Sequence, residues 1–77
     1  MVLKIISPER VLHQGEVESV TLPGALGFFM VLKDHAPLVS ALTAGEIAYV
    51  EGGSEHALGI ERGVVEVRSN EVVVCIS

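Results

Sequence analysis

The chain has 77 residues, 49% of them hydrophobic, and a formal net charge of −5. Ten acidic residues against five basic ones exclude the phosphate-binding surface that nucleic acids need, and they disfavour direct contact with anionic lipid. A single cysteine excludes an internal disulfide, and small secreted domains usually rely on two or more bridges, so the chain reads as intracellular.

One domain from Met1 to Ser77 is all this length allows. A domain of this size buries only roughly 60% of the surface its unfolded chain exposes, so its core has to be dense in apolar groups. Valine and isoleucine supply much of that density, and β-branched side chains suit a pleated, half-buried surface better than a helix. The start of the chain, MVLKIISPERV, is broken by Pro8 too early to be a signal peptide. No apolar run approaches the ~20 residues of a membrane-spanning helix.

In chain order, Val2, Leu3, Ile5 and Ile6 predict a first strand ended at Ser7-Pro8. Val11-Leu12 begin a second, closed by Gly15. Along Glu16 to Leu22, strict alternation puts Val17 on one face but Val20 and Leu22 on the other, which predicts a bulge or bend near Ser19. Pro23-Gly24 reads as a turn and Gly27 closes the loop. Phe28 to Leu32 is a nearly continuous apolar strand. Lys33-Asp34-His35 turns the chain, and Leu38 to Leu42 follows as a strand. Ala44-Gly45 turns again. Ile47 to Val50 runs to Glu51-Gly52-Gly53, and Ala57 to Ile60 returns as the hairpin partner. After a tight turn at Arg62-Gly63, Val64 to Val67 goes out, Ser69-Asn70 turns, and Val72 to Ile76 comes back. Turns every eight to ten residues predict an all-β sandwich or barrel of antiparallel strands. No stretch holds a helical period over three turns.

The candidates for chemistry are few. Asp34-His35 offers half of a catalytic dyad, but adjacent turn residues do not assemble a nucleophile, base and orienting group; a turn histidine bonded to local backbone is the plainer reading. His13, His35 and His56 lack any short metal-ligand spacing and read as exposed strand-end histidines. Gly24-Ala25-Leu26-Gly27 resembles part of a phosphate loop, yet such loops open a helix, and Phe28-Phe29-Met30-Val31 follows as strand. Lys33 sits in a turn as the carrier lysine of a biotinyl or lipoyl domain does, without the flanking residues of those domains. Cys75, within VVVCIS, reads as a small core hydrophobe. Phe28 and Phe29 are adjacent in a strand and must face opposite ways. With Leu26 and Met30, the outward one predicts an apolar contact patch at a loop tip.

Ser7-Pro8-Glu9 with Val11, the run Gly15-Glu16-Val17-Glu18-Ser19-Val20-Thr21-Leu22-Pro23-Gly24, then Gly27, Phe29, Val31-Leu32 and His35-Ala36-Pro37-Leu38, together resemble the N-terminal β-domain of the F-type ATP synthase epsilon subunit. Leu42, Gly45, Gly63-Val64-Val65-Glu66-Val67, Asn70 and Val72 to Val74 continue the likeness in order along essentially the whole chain. The resemblance implies a flattened antiparallel β-sandwich of about ten short strands at the foot of a rotor stalk. It implies binding to the gamma subunit and the membrane c-ring, and coupling of proton-driven rotation to ATP synthesis, with no catalytic residues, metal or cofactor. Gly24, Ala25, Leu26, Gly27 and Phe28 would then face the c-ring, and Lys33, Asp34 and His35 would lie near gamma. Association with the membrane would be peripheral, through the complex, at the cytoplasmic face of a bacterial inner membrane.

There are departures. Family members often carry Gly where this chain has Met30, Pro-Gly where it has Lys33-Asp34, and a polar residue where it has Phe28. A more apolar tip is therefore expected. Many members also continue into a helical hairpin that restrains ATP hydrolysis; nothing after Ser77 could form it, so the expectation is either a naturally short subunit without that switch or a trimmed chain. The alternative of a biotinyl or lipoyl carrier requires Lys33 to be modified.

Overall fold

The computed structural model describes Met1–Ser77 as nine strands: β1 (Val2–Ile6), β2 (Val11–Glu16), β3 (Ser19–Gly24), β4 (Gly27–Leu32), β5 (Leu38–Leu42), β6 (Gly45–Glu51), β7 (Ser54–Ile60), β8 (Gly63–Arg68) and β9 (Glu71–Ile76). The all-β class holds, with nine strands where about ten were expected. No helix is long and apolar enough to cross a membrane.

The strands join in the order β2-β1-β9-β8-β5-β3-β6-β7, with β4 paired to β3 alone. Every pairing is antiparallel except β1 with β9, which run parallel from Val2↔Glu71 to Ile6↔Cys75. Parallel neighbours need a long connection, and here that connection is nearly the entire chain between the first strand and the last. One residue pair, Gly24↔Leu42, joins β3 to β5. That slender joint lets the sheet fold over into two layers, β2-β1-β9-β8-β5 facing β4-β3-β6-β7. Proof of the fold-over lies at the far side: His13 on β2 and Tyr49 on β6 stand far apart along the strand order, yet their ring centroids are 4.6 Å apart. The result measures 25 × 23 × 19 Å.

The core lies between those layers and follows the two-residue period of the strands. Leu3 and Ile5 of β1, Val72 and Val74 of β9, Val65 and Val67 of β8 and Leu42 of β5 meet Val20 and Leu22 of β3, Val31 of β4, Ile47 of β6 and Ile60 of β7. Each such side chain contributes about 1.5–3 kcal/mol when taken out of water. Val17 joins them from outside any strand. The predicted change of face occurs at Val17-Glu18, where the chain leaves β2 and bends before β3. Glu18 N donates to Val50 O at 2.8 Å there.

Three local expectations need correction. Pro23-Gly24 is not the turn; both residues end β3, opposite Phe28 and Gly27, and Ala25-Leu26 form the loop. Proline fits because β3 changes partner on its other side between Thr21↔Ala48 and Gly24↔Leu42, so no ladder N–H is required at Pro23. Its carbonyl still accepts from Thr43 N at 2.9 Å. Cys75 is exposed, not core, because alternation along β9 turns Val72 and Val74 inward and Cys75 out. His13 is not a strand-end residue: it lies within β2 and is half-buried against Tyr49, with its Nε2 buried and unpaired.

Candidate contact surface

The β3–β4 hairpin builds its tip from two loop residues. Ala25 and Leu26 keep negative φ, and Gly27, at 129°, takes up the reversal. The tip is pinned rather than free, because Ala25 N donates to Ala41 O on β5 at 3.1 Å. Gly24 is the pivot: a Cβ there would lie 2.7 Å from Gly27 O and 2.9 Å from Phe29 Cε1, so only glycine allows this approach. Leu26 stands fully in solvent and Phe28 is 72% exposed, while Phe29 turns to the core side and packs against it. The two phenylalanines thus divide as the sequence predicts.

The turn after β4 is built by a different chemistry. Asp34 adopts φ 65°, and Ser69 and Asn70 of the β8–β9 hairpin adopt 49° and 60°. Left-handed backbone at both central residues is what a two-residue hairpin loop of this type requires, and Asn and Asp tolerate it best of the non-glycine residues. The two turns hold each other: Asp34 N donates to Asn70 Oδ1 at 3.0 Å, and Asn70 Nδ2 donates to Asp34 Oδ1 at 3.5 Å. Val2 N also donates to Asn70 O, at 2.9 Å. Asn70 therefore clamps the corner where β1, β4, β8 and β9 end.

His35 is fixed by its own backbone. Its main-chain N donates to Leu32 O at 3.1 Å, and Nδ1 lies 2.7 Å from Ala36 O, a contact that makes Nδ1 the protonated nitrogen. Asp34 spends its carboxylate on Asn70 rather than on His35, so the two do not form a dyad. Lys33 is exposed and makes no ion pair.

A groove of about 470 Å³ runs between the hairpin tip and β5, lined by Leu26, Phe28, Phe29, His35, Leu38 and Val39, with Gly24 and Gly27 at its floor. It brings His35 together with the tip residues, whereas Asp34 is bonded to Asn70 and Lys33 is exposed outside the groove. Ala25 lies outside the groove, held to Ala41. In the sequence, Leu38 and Asn70 belong to the run that carries the family resemblance but have no contact role, and Val39 reads only as strand. A short turn signal at Ser69-Asn70 pointed to the hairpin, but nothing local pointed to a partner 36 residues away. No three His, Cys, Asp or Glu side chains gather closely enough to hold a metal ion.

The structure defines the class as a two-layered all-β sandwich with an apolar, uncharged hairpin tip. Comparison with known proteins gives its lineage. Residues 1–77 match the family described as ATP synthase, Delta/Epsilon chain, beta-sandwich domain, and the chain belongs to that family. An ATP synthase epsilon chain of Leptospira interrogans is 40% identical over 72 residues, covering 94% of this chain and 57% of the relative. One from Anaeromyxobacter sp. is 40% identical over 74 residues, covering 96% of this chain and 56% of the relative. The chain thus spans little more than half the length of these relatives.

Among solved structures, a chain of the Euglena gracilis mitochondrial ATP synthase superposes with a TM-score of 0.92 at 23% identity, covering 99% of this chain and 49% of the other. A chain from the Tetrahymena thermophila mitochondrial ATP synthase central stalk and c-ring gives 0.82 at 10% identity, covering 97% and 61%. At such identities the likeness is one of fold.

Proposed function

We propose that Met1–Ser77 form a single epsilon-type domain of the central stalk of a proton-translocating F-type ATP synthase. It binds gamma and the c-ring and helps couple rotation to ATP synthesis, with no catalytic step and no cofactor of its own. The observation that carries this reading is the family match over residues 1–77, reinforced by epsilon chains as its 40%-identical relatives. In this reading Gly24 to Phe28 meet the polar loops of the c-ring, and Lys33, Asp34 and His35 lie toward gamma. Membrane association runs through the complex, at the cytoplasmic face of the inner membrane in a bacterium, as the bacterial relatives suggest. All nine elements are strands, so the helical hairpin linked to inhibition has no counterpart within these residues.

The alternative of a carrier domain modified at Lys33 loses its basis, since the family match includes the turn that holds Lys33. Purified chain incubated with gamma and detergent-solubilised c-ring tests the proposal. Stoichiometric co-elution with gamma is expected; folded protein with no affinity for gamma would overturn it.

A further inference from the structure

The connection from β4 to β5 carries the chain from one layer to the other, and little holds it. No side chain from Lys33 to Pro37 is buried, so packing does not fix its course. A hairpin turn is closed by the ladder of its own two strands, but β4 and β5 do not pair with each other. Two hydrogen bonds of the connection are local: His35 N donates to Leu32 O, and His35 Nδ1 to Ala36 O. They shape the turn without tying it to a second strand pair. The bonds that do so go to Asn70. Asp34 N donates to Asn70 Oδ1 at 3.0 Å, and Asn70 Nδ2 donates to Asp34 Oδ1 at 3.5 Å.

The two ends of this tether differ. Asn70 is placed without help from the connection: β8 and β9 pair in unbroken register up to Arg68↔Glu71, and the Asn70 carbonyl accepts from Val2 N at 2.9 Å. Asp34 sits at φ 65°, with no ladder on either side. Left-handed backbone is unfavourable for a residue with a side chain, and the bonds to Asn70 compensate for it. One residue further on, His35 lines the groove with Leu26 and Phe28. Released from Asn70, Asp34 is free to leave the left-handed region, and His35 shifts with it.

We propose that Asn70 is a positioning residue for the contact surface. Acting through Asp34, it sets the course of Lys33 to Pro37 and the place of His35 beside the hairpin tip. Its consequence for binding follows if Lys33, Asp34 and His35 form the gamma-facing turn, the reading on which this inference rests. Asn70 then acts by preorganisation, since a connection already ordered in the free chain loses less freedom when gamma binds.

The test compares the parent chain with Asn70→Gly, with Asn70→Asp, and with Asn70→Asp combined with Asp34→Asn. Glycine adopts positive φ freely and keeps the carbonyl that Val2 N needs, so the hairpin stays folded while the tether is lost. For Asn70→Gly, cooperative melting is retained, the Asp34 amide exchanges faster, and nitrogen NMR shows His35 losing its single Nδ1-protonated form. Its dissociation constant for gamma rises on the order of tenfold. Asn70→Asp sets two carboxylates side by side and weakens gamma binding at least as much. Adding Asp34→Asn restores one donor and one acceptor at the parent's net charge, and most of the affinity returns.

Unchanged Asp34 exchange and an unchanged His35 ring in Asn70→Gly overturn the proposal. So does gamma affinity that falls while both signals stay put, which would place Asn70 against gamma itself. A double variant no better than Asn70→Asp alone, or gamma affinity unmoved by Asn70→Gly, also overturns it. A folded parent chain that does not bind gamma sinks the gamma assignment instead; the Asp34 and His35 signals, read in the free chain, still decide whether Asn70 sets the connection.

Discussion

β4 and β9 look alike in the sequence and behave differently in the fold. Phe28-Phe29-Met30-Val31-Leu32 and Val72-Val73-Val74-Cys75-Ile76 are both near-continuous apolar runs. β9 lies between β1 and β8, its backbone is paired on both sides, and Val72 and Val74 are fully buried. β4 has one neighbour and buries only Val31 completely; three of its large side chains face water. Apolar composition makes a strand in both places. Position in the sheet decides whether the strand stabilises the core or offers a surface. In a domain of 77 residues, leaving Phe28, Met30 and Leu32 outside is costly for solubility, which is consistent with a contact role.

Substitutions that sharpen this contrast rank by depth. The largest effect belongs to the β8–β9 side: Val65→Asp or Val74→Asp places a carboxylate at a site with no exposure. That should cost several kcal/mol against a total stability of roughly 5–10, so thermal melts should show no cooperative transition near the parent's. Val17→Asp should behave similarly, Val17 being almost fully buried outside any strand.

Gly63→Ala comes next. Its Cβ would sit 2.6 Å from Cys75 O, a backbone atom that cannot move aside alone. A loss of about 1–3 kcal/mol in urea unfolding is expected. At the corner, Asn70→Ala should cost about 1–2 kcal/mol, because it removes the acceptor for Asp34 N and strains φ at 60°. Asn70→Gly relieves the backbone and should lose less; equal losses would show that the hydrogen bond, not φ, dominates. The smallest stability effect belongs to Phe28→Ala, below about 1 kcal/mol for a side chain this exposed. That variant should bind its partner subunits distinctly less well, and a large drop in melting temperature instead would place Phe28 in the core.

The strands were largely legible because alternation and turn chemistry are local signals. Val64 to Val67 and Val72 to Ile76 lie within β8 and β9 as the pattern predicts, and Ser69-Asn70 forms the turn between them. Pro23 looks like a turn residue in sequence because a proline's tolerance depends on which neighbour its missing N–H would face, and that neighbour changes from β6 to β5 only in the folded sheet. Cys75 looks like core in sequence because a run of five apolar residues hides its own alternation. The parallel β1–β9 pair, the Asp34–Asn70 clamp and the His13–Tyr49–His56 stack link residues far apart in the chain, and no local pattern announces them. Of the contact surface, the apolar tip was legible and its groove with β5 was not, since Leu38 and Val39 read simply as strand.

The most direct test is photo-crosslinking in the assembled rotor, with a photoreactive amino acid placed in turn at Phe28 and at His35. The rotor assignment predicts that position 28 captures the c subunit and position 35 captures gamma. Efficient assembly with neither position reaching either subunit would contradict it.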